Sequence, residues 1–134
     1  MHHKNPVGNS VIDIESYCHV RDAAEKGNAT DIYEYGNIFY FGLFGIRVDK
    51  KAAFSLYAQA AKKGHDYARL MVSLCRMTGC GCDIDYVRAA KGFKCLCDKG
   101  WDECWAWLGL CYAKTGHSKK ADAVLRKAQK FAKS

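Results

Sequence analysis

Proline is nearly absent, with one in 134 residues, so little in the chain interrupts a helix, and a β fold rich in proline turns is disfavoured. No run is long and apolar enough to cross a bilayer, and residues 1–10 lack the basic-then-apolar layout of a secretory leader. Both absences lead to the expectation of a cytoplasmic protein with no membrane partner. Acids are scarce as well: 14 Asp and Glu stand against 21 Lys and Arg, giving a net charge of +7. That balance points first to an acidic surface on another protein and second to nucleic acid.

Catalytic constellations are also missing. His19, His65 and His117 are scattered through the chain, and no Ser or Cys has a His and an acid in a convergent layout. No phosphate-cradling glycine loop, metalloprotease helix or dinucleotide fingerprint occurs. Asp83 and Asp85 share one connecting stretch, where Asp85 reads as the cap of the following helix rather than as an acid catalyst. The expectation is a non-enzymatic protein with no cofactor.

What the chain does have is repetition. Trp105-Ala106-Trp107-Leu108-Gly109-Leu110-Cys111-Tyr112 spells W-x-x-L-G-x-x-Y, the opening half of a helical repeat. On a helix Trp105, Leu108 and Tyr112 share a face, and Gly109 beside them lets a second helix approach closely. That second helix follows a Thr-Gly-His-Ser break and carries Ala121, Leu125 and Ala128 at i, i+4, i+7. Three segments end alike, at Ala23 to Gly27, Ala60 to Gly64 and Leu96 to Gly100, and their glycines lie 37 and 36 residues apart. Each ending places Lys against the negative end of the helix dipole and Gly where the left-handed cap is needed.

Gly42, Gly45, Ile46, Asp49 and Ala53, followed by the Lys/Ala-rich ending at Gly64, form a pattern that resembles the Sel-one-like repeat (SLR). Gly79, Gly81 and Asp85 repeat it, and the last unit is similar to the tetratricopeptide repeat (TPR). The resemblance covers about residues 10–134. It implies an all-α fold, a right-handed α-solenoid of antiparallel helix hairpins with about seven helices. The expected layout is a flexible arm over residues 1–9, a capping helix over 10–27 with Ser10 as N-cap and Ile12, Val20, Ala23 and Ala24 inward, and repeats at about 29–64, 67–100 and 101–134. The second unit departs from the pattern: Val72-Ser73 replaces Leu-Gly, Arg76 replaces the aromatic, and Gly92 stands where a Trp is usual. A mid-helix Gly is expected to cost about 1 kcal/mol relative to Ala.

Such solenoids serve as adaptors, chaperones and scaffolds, and bind partners along the concave face lined by the front helices. The repeat frame places Tyr33, Asn37, Tyr40 and Phe41 there in the first unit, Tyr67, Leu70, Leu74 and Met77 in the second, and Ala106, Leu110 and Lys114 in the third. The expected function is a protein–protein interaction module acting through these side chains, as a small inhibitor or immunity-type protein that works by occlusion, and as a monomer or homodimer. A competing expectation is a nucleic-acid accessory protein using Lys119, Lys120, Arg126, Lys127, Lys130 and Lys133 of the last helix.

Eight cysteines raise a third possibility, a thiol or zinc sensor. On a helix Cys95 and Cys97 point about 200° apart and cannot share an ion, which leaves Cys80 and Cys82 as the weak metal candidates. In the repeat frame Cys75 and Cys111 match Ile38, Cys82 matches Ile46, Cys97 matches Ala61 and Cys104 matches Ala68, all places for a small buried hydrophobe. The family resemblance also implies a disulfide between the two helices of a repeat near Cys97 and Cys104, but Ala68 leaves Cys97 without a partner in its own unit. Titration with a thiol reagent in denaturant should count eight free thiols; four or fewer would overturn the expectation of a cytoplasmic protein.

Overall fold

The computed structural model describes residues 11–132. Ser10, Lys133 and the arm over residues 1–9 lie outside them. Among the described residues there are seven α-helices: α1 (Ile14–Glu25), α2 (Ala29–Phe41), α3 (Lys50–Lys62), α4 (Asp66–Thr78), α5 (Tyr86–Asp98), α6 (Cys104–Lys114) and α7 (Ser118–Ala132). A short 3-10 turn, Leu43–Gly45, follows α2. Internal contacts divide the chain into two compact units, one on each side of the Ala68–Arg69 bond.

The helix boundaries follow from local chemistry. Asp49 and Asp85 cap α3 and α5, each accepting a hydrogen bond at 3.0 Å from the backbone N–H three residues on, that of Ala52 and that of Arg88. Their own N–H groups donate back into the preceding helix, Asp49 to the Phe39 carbonyl at 2.9 Å and Asp85 to that of Arg76 at 2.8 Å. Two loops of different length therefore deliver the capping carboxylate to the same place. At the other ends, Gly64 and Gly100 have φ of +92° and +94°, and the N–H groups of His65 and Trp101 return to the carbonyls of Ala60 and Leu96. This left-handed closure satisfies the orphan carbonyls of the last turn and is why those endings recur.

The N-terminal helix begins later than its sequence implies. Asp13 is the cap, accepting from Ser16 N at 3.0 Å, and Ile12 precedes the helix with 54% of its surface exposed. Ile12 instead passes Gly45, where any Cβ would stand 2.9 Å from the Ile12 Cα, and Asp13 N donates to the Phe44 carbonyl. Of the four side chains expected to face inward only Ala24 is fully buried. Tyr17 carries much of the contact to α2, with its hydroxyl 3.1 Å from that of Tyr35 and its ring edge-on to Phe39.

In the first unit α2 packs on α1 and α3 around Ile32, Ile38, Ala53, Tyr57 and Ala60. In the second, α6 packs on α5 and α7 around Phe93, Leu96, Leu108 and the thiols of Cys97, Cys104 and Cys111. Close helix approach sets the spacing. A Cβ on Gly36 would lie 3.0 Å from the Tyr57 ring and 3.4 Å from Leu56, and one on Gly109 would lie 2.7 Å from Leu125. The second repeat reverses this arrangement: Ser73, 2% exposed, takes the place of Gly36, while Gly92 takes the place of Leu56. The two irregularities are thus one compensated contact, since a Cβ on Gly92 would overlap the Ser73 hydroxyl and stand 3.2 Å from its Cβ.

Gly92→Ala should therefore destabilise the protein by about 1 kcal/mol, because overpacking outweighs the gain in helix propensity. Adding Ser73→Gly should recover that loss. Urea unfolding followed by circular dichroism measures both, and a single variant more stable than the parent would refute the contact.

Candidate partner-binding faces

The front-helix side chains of the first unit form a file of rings. Tyr33 stacks on His65 with centroids 4.6 Å apart and planes 24° apart, and lies 5.7 Å from Tyr57 and 6.3 Å from Tyr67. Tyr40 continues the file, 6.0 Å from Tyr57 and edge-on to Phe41 at 4.8 Å. The middle is locked: Tyr57 is fully buried and its hydroxyl donates to Asn37 Oδ1 at 2.6 Å. Lys50 holds Tyr40 by placing its ammonium 3.5 Å over the ring while donating to the Tyr40 carbonyl at 2.8 Å. His65 is fixed by its own chemistry, accepting the Ala68 N–H on Nδ1 at 3.1 Å at the start of α4. The two ends are open, with Phe41 58% and Tyr67 59% exposed.

In the second unit the side chains are placed differently. Leu70, Leu74 and Met77 are half-buried against the cluster around Phe93 and Leu108. Leu110 on α6 is exposed, as are Ala106 and Lys114. Of the eleven side chains expected on the binding face, five are therefore exposed: the large apolar Phe41, Tyr67 and Leu110, with Ala106 and Lys114. The other six contribute packing or hydrogen bonding within their unit. His65 and Lys50 escaped the sequence reading, because one follows a helix-ending glycine and the other opens a back helix, places that give no hint of a ring partner.

On α7, Lys119, Lys120, Arg126, Lys127 and Lys130 are exposed and share one stripe opposite Ala121, Val124 and Leu125. Two of them turn back to α6: Lys127 Nζ sits 4.5 Å from the Trp105 ring centroid and Lys120 Nζ 5.7 Å from that of Tyr112. Cation–π attraction over this range stabilises each by about 0.5–1 kcal/mol.

All eight cysteines are free thiols. Cys75, Cys97, Cys104 and Cys111 are buried, whereas Cys80 and Cys82 are half-buried. Among the described residues no group of three or more His, Cys, Asp or Glu side chains converges on a point where an ion could sit. Burial pushes the Cys97 and Cys111 thiols up to about 11 and Cys104 up to about 12, from an ordinary value of 9.0. It also raises that of Cys82.

Comparison with known proteins places this architecture. The chain superposes with a TM-score of 0.76 over 92% of its length on a protective antigen of uropathogenic Escherichia coli strains displaying an SLR fold, at 20% identity and over 27% of that chain. A Sel1 repeat protein from Oxalobacter formigenes matches with a TM-score of 0.68 and 26% identity, over 87% of this chain and 49% of the other. In sequence, 63 residues are 35% identical to chitin synthase regulatory factor 3 of Schizosaccharomyces pombe, covering 47% of this chain and 7% of that protein. No protein-family profile matches. In each case the chain spans less than half of the other protein's length.

The class is thus an all-helical repeat fold of the SLR/TPR type, an architecture suited to protein interaction. No helix among the described residues is long and apolar enough to cross a membrane.

The raised thiol values have a direct consequence. Cys97, Cys104 and Cys111 stay protonated when folded but ionise near pH 9 when unfolded, so the stability tied to them is complete below that pH. It is lost as pH rises from about 9 toward about 11 and about 12. At about pH 8, iodoacetamide should label Cys18 and Cys80 in the folded protein well before these three. Peptide mass mapping reads the order, and labelling of Cys111 as fast as Cys18 would contradict the burial.

Proposed function

We propose that the chain is a non-enzymatic protein-binding module that engages a partner through its front-helix side chains, with the exposed ends of the first unit's ring file as anchors. The observation that carries this reading is the pairing of exposure with order. Phe41 and Tyr67 are more than half exposed, yet each adjoins rings fixed by Tyr57, Asn37, Lys50 and His65. A preordered aromatic loses little entropy on binding, and aromatic anchors dominate protein interfaces. Helical repeats of this kind are generally scaffolds, and the relative named chitin synthase regulatory factor 3 fits an adaptor role. The net charge of +7 favours an acidic partner surface, and occlusion of a partner's working surface is the narrower form of this reading.

The nucleic-acid alternative has less support. Charge alone gives salt-sensitive, sequence-blind binding, and stacking platforms are what single-stranded recognition adds. The rings nearest the α7 stripe, Trp105 and Tyr112, already carry Lys127 and Lys120 above them.

A photo-crosslinking amino acid at Phe41 or Tyr67 should capture the same partner in cells, while one at the exposed Gln59 should not. With that partner purified, Phe41→Ala and Tyr67→Ala should each weaken affinity by about 1 kcal/mol or more with helicity unchanged. Full affinity in both variants would move the site elsewhere.

A further inference from the structure

The back helices of the first two repeats can be aligned through their buried residues, Ala53 with Ala89, Tyr57 with Phe93 and Ala60 with Leu96. In that register the stripe Lys51, Phe54, Ser55 and Ala58 of α3 corresponds to Val87, Ala90, Lys91 and Lys94 of α5. Two differences stand out. The half-buried Phe54 is replaced by Ala90, which removes a ring, and Ser55 and Ala58 are replaced by two lysines.

The space left beside Ala90 is a cavity of about 320 Å³. Its far wall is the α6–α7 corner, formed by Tyr112, Thr115, His117 and Lys120. This corner is fixed by its own hydrogen bonds. Thr115 Oγ1 lies 3.0 and 3.1 Å from the carbonyls of Cys111 and Tyr112 and 2.9 Å from His117 Nδ1, and His117 N donates to the Tyr112 carbonyl at 2.8 Å. The wall therefore stands ready without rearrangement.

The lining separates into two chemistries. The floor is apolar: Val87, 56% exposed, with Ala90 and the Tyr112 ring. The rim is cationic, with Lys91, Lys94 and Lys120. Asp98 holds the Lys94 ammonium at 2.7 Å, so three ammonium groups face one carboxylate and the excess is positive. The volume lies at the low end of the range for ligand pockets, about 300 Å³ and upward. It has room for one bulky side chain.

We propose that this cavity is a second docking site, which receives an acidic peptide segment of a partner: one aromatic or large aliphatic side chain enters beside Ala90, and flanking carboxylates meet Lys91 and Lys120. The site shares no residue with the ring file of the first unit, so the two can be tested independently. Its occupant follows from charge complementarity at the rim and from the missing ring at position 90. A polyanion without an apolar group would satisfy only the rim.

The probe is a fluorescein-labelled Asp-Glu-Phe-Glu-Asp amide, read by fluorescence anisotropy on the full chain. Saturable binding is expected. It should weaken at least tenfold with Ala90→Phe, which restores the ring of the first repeat, and at least tenfold with Lys91→Glu combined with Lys120→Glu. These two lysines are exposed, so the charge-reversal pair keeps the test valid should Ala90→Phe fail to fold by circular dichroism. Replacing the peptide's Phe with Ser should also weaken binding at least tenfold. The Phe41→Ala, Tyr67→Ala double variant should bind the peptide like the parent, which separates failure of this site from failure of the front-helix reading. No saturable binding up to about 1 mM peptide, equal binding of the Ser peptide, or displacement by an equal charge of oligouridylate would each overturn the proposal.

Discussion

Two helices come closest where one of them presents no Cβ, and within the hairpins α2–α3, α4–α5 and α6–α7 a glycine meets a side chain of the facing helix. Gly36 lies under the Tyr57 ring and Gly109 under Leu125. The middle repeat moves the glycine to the other helix, where Gly92 receives Ser73. Burial of the core depends on these contacts, since Tyr57, Phe93 and Leu108 are fully covered only while the helices flanking them remain close. The requirement falls on the pair and not on either residue, so a repeat can lose its front-helix glycine and keep its packing.

Fixing the helices in this way decides which side chains are left over. In the first unit rings converge from α2, α3 and the start of α4, and packing cannot absorb them all. Tyr57 goes inside and orients Asn37, Tyr33 and Tyr40 around it, and Phe41 and Tyr67 remain at the margins. In the second unit the corresponding side chains are aliphatic or Met and settle against the core. The repeat positions of Tyr33, Asn37 and Tyr40 thus carry Leu70, Leu74 and Met77, flexible side chains that adapt to the space available, whereas the exposed Phe41 is matched by the exposed Thr78.

The cations show a similar division. Lys50, Lys120 and Lys127 lie over Tyr40, Tyr112 and Trp105, where they brace the helix hairpins. Lys91 is left on an outer stripe beside an alanine. Net charge alone would have counted all of them as partner-binding groups, yet their energetic roles differ with the ring or space each one meets. The thiols are likewise divided by depth: four occupy core positions as small hydrophobes, and the remaining four are half-buried.

Local chemistry was legible in the chain. The caps at Asp49 and Asp85, the left-handed glycines at 64 and 100, the close approach at Gly109 and the core placement of Cys75, Cys97, Cys104 and Cys111 all depend on neighbours within a few residues or on a repeat period of 36 or 37, and such signals survive in one dimension. The start of α1 was misplaced because Asp13 is oriented by the Phe44 carbonyl, 31 positions away in the chain. The compensation between Ser73 and Gly92, the division of the ring file into a fixed middle and open ends, and the cavity opened by Ala90 belong to tertiary structure alone. Each depends on the distance between side chains on different helices, and a repeat frame gives the face on which a residue lies without giving what stands opposite it. The sequence by itself determined the caps and glycine endings of the repeat helices and which stripe of α3 and α5 turns inward; the packing decided which of the remaining side chains are braced and which stay open to a partner.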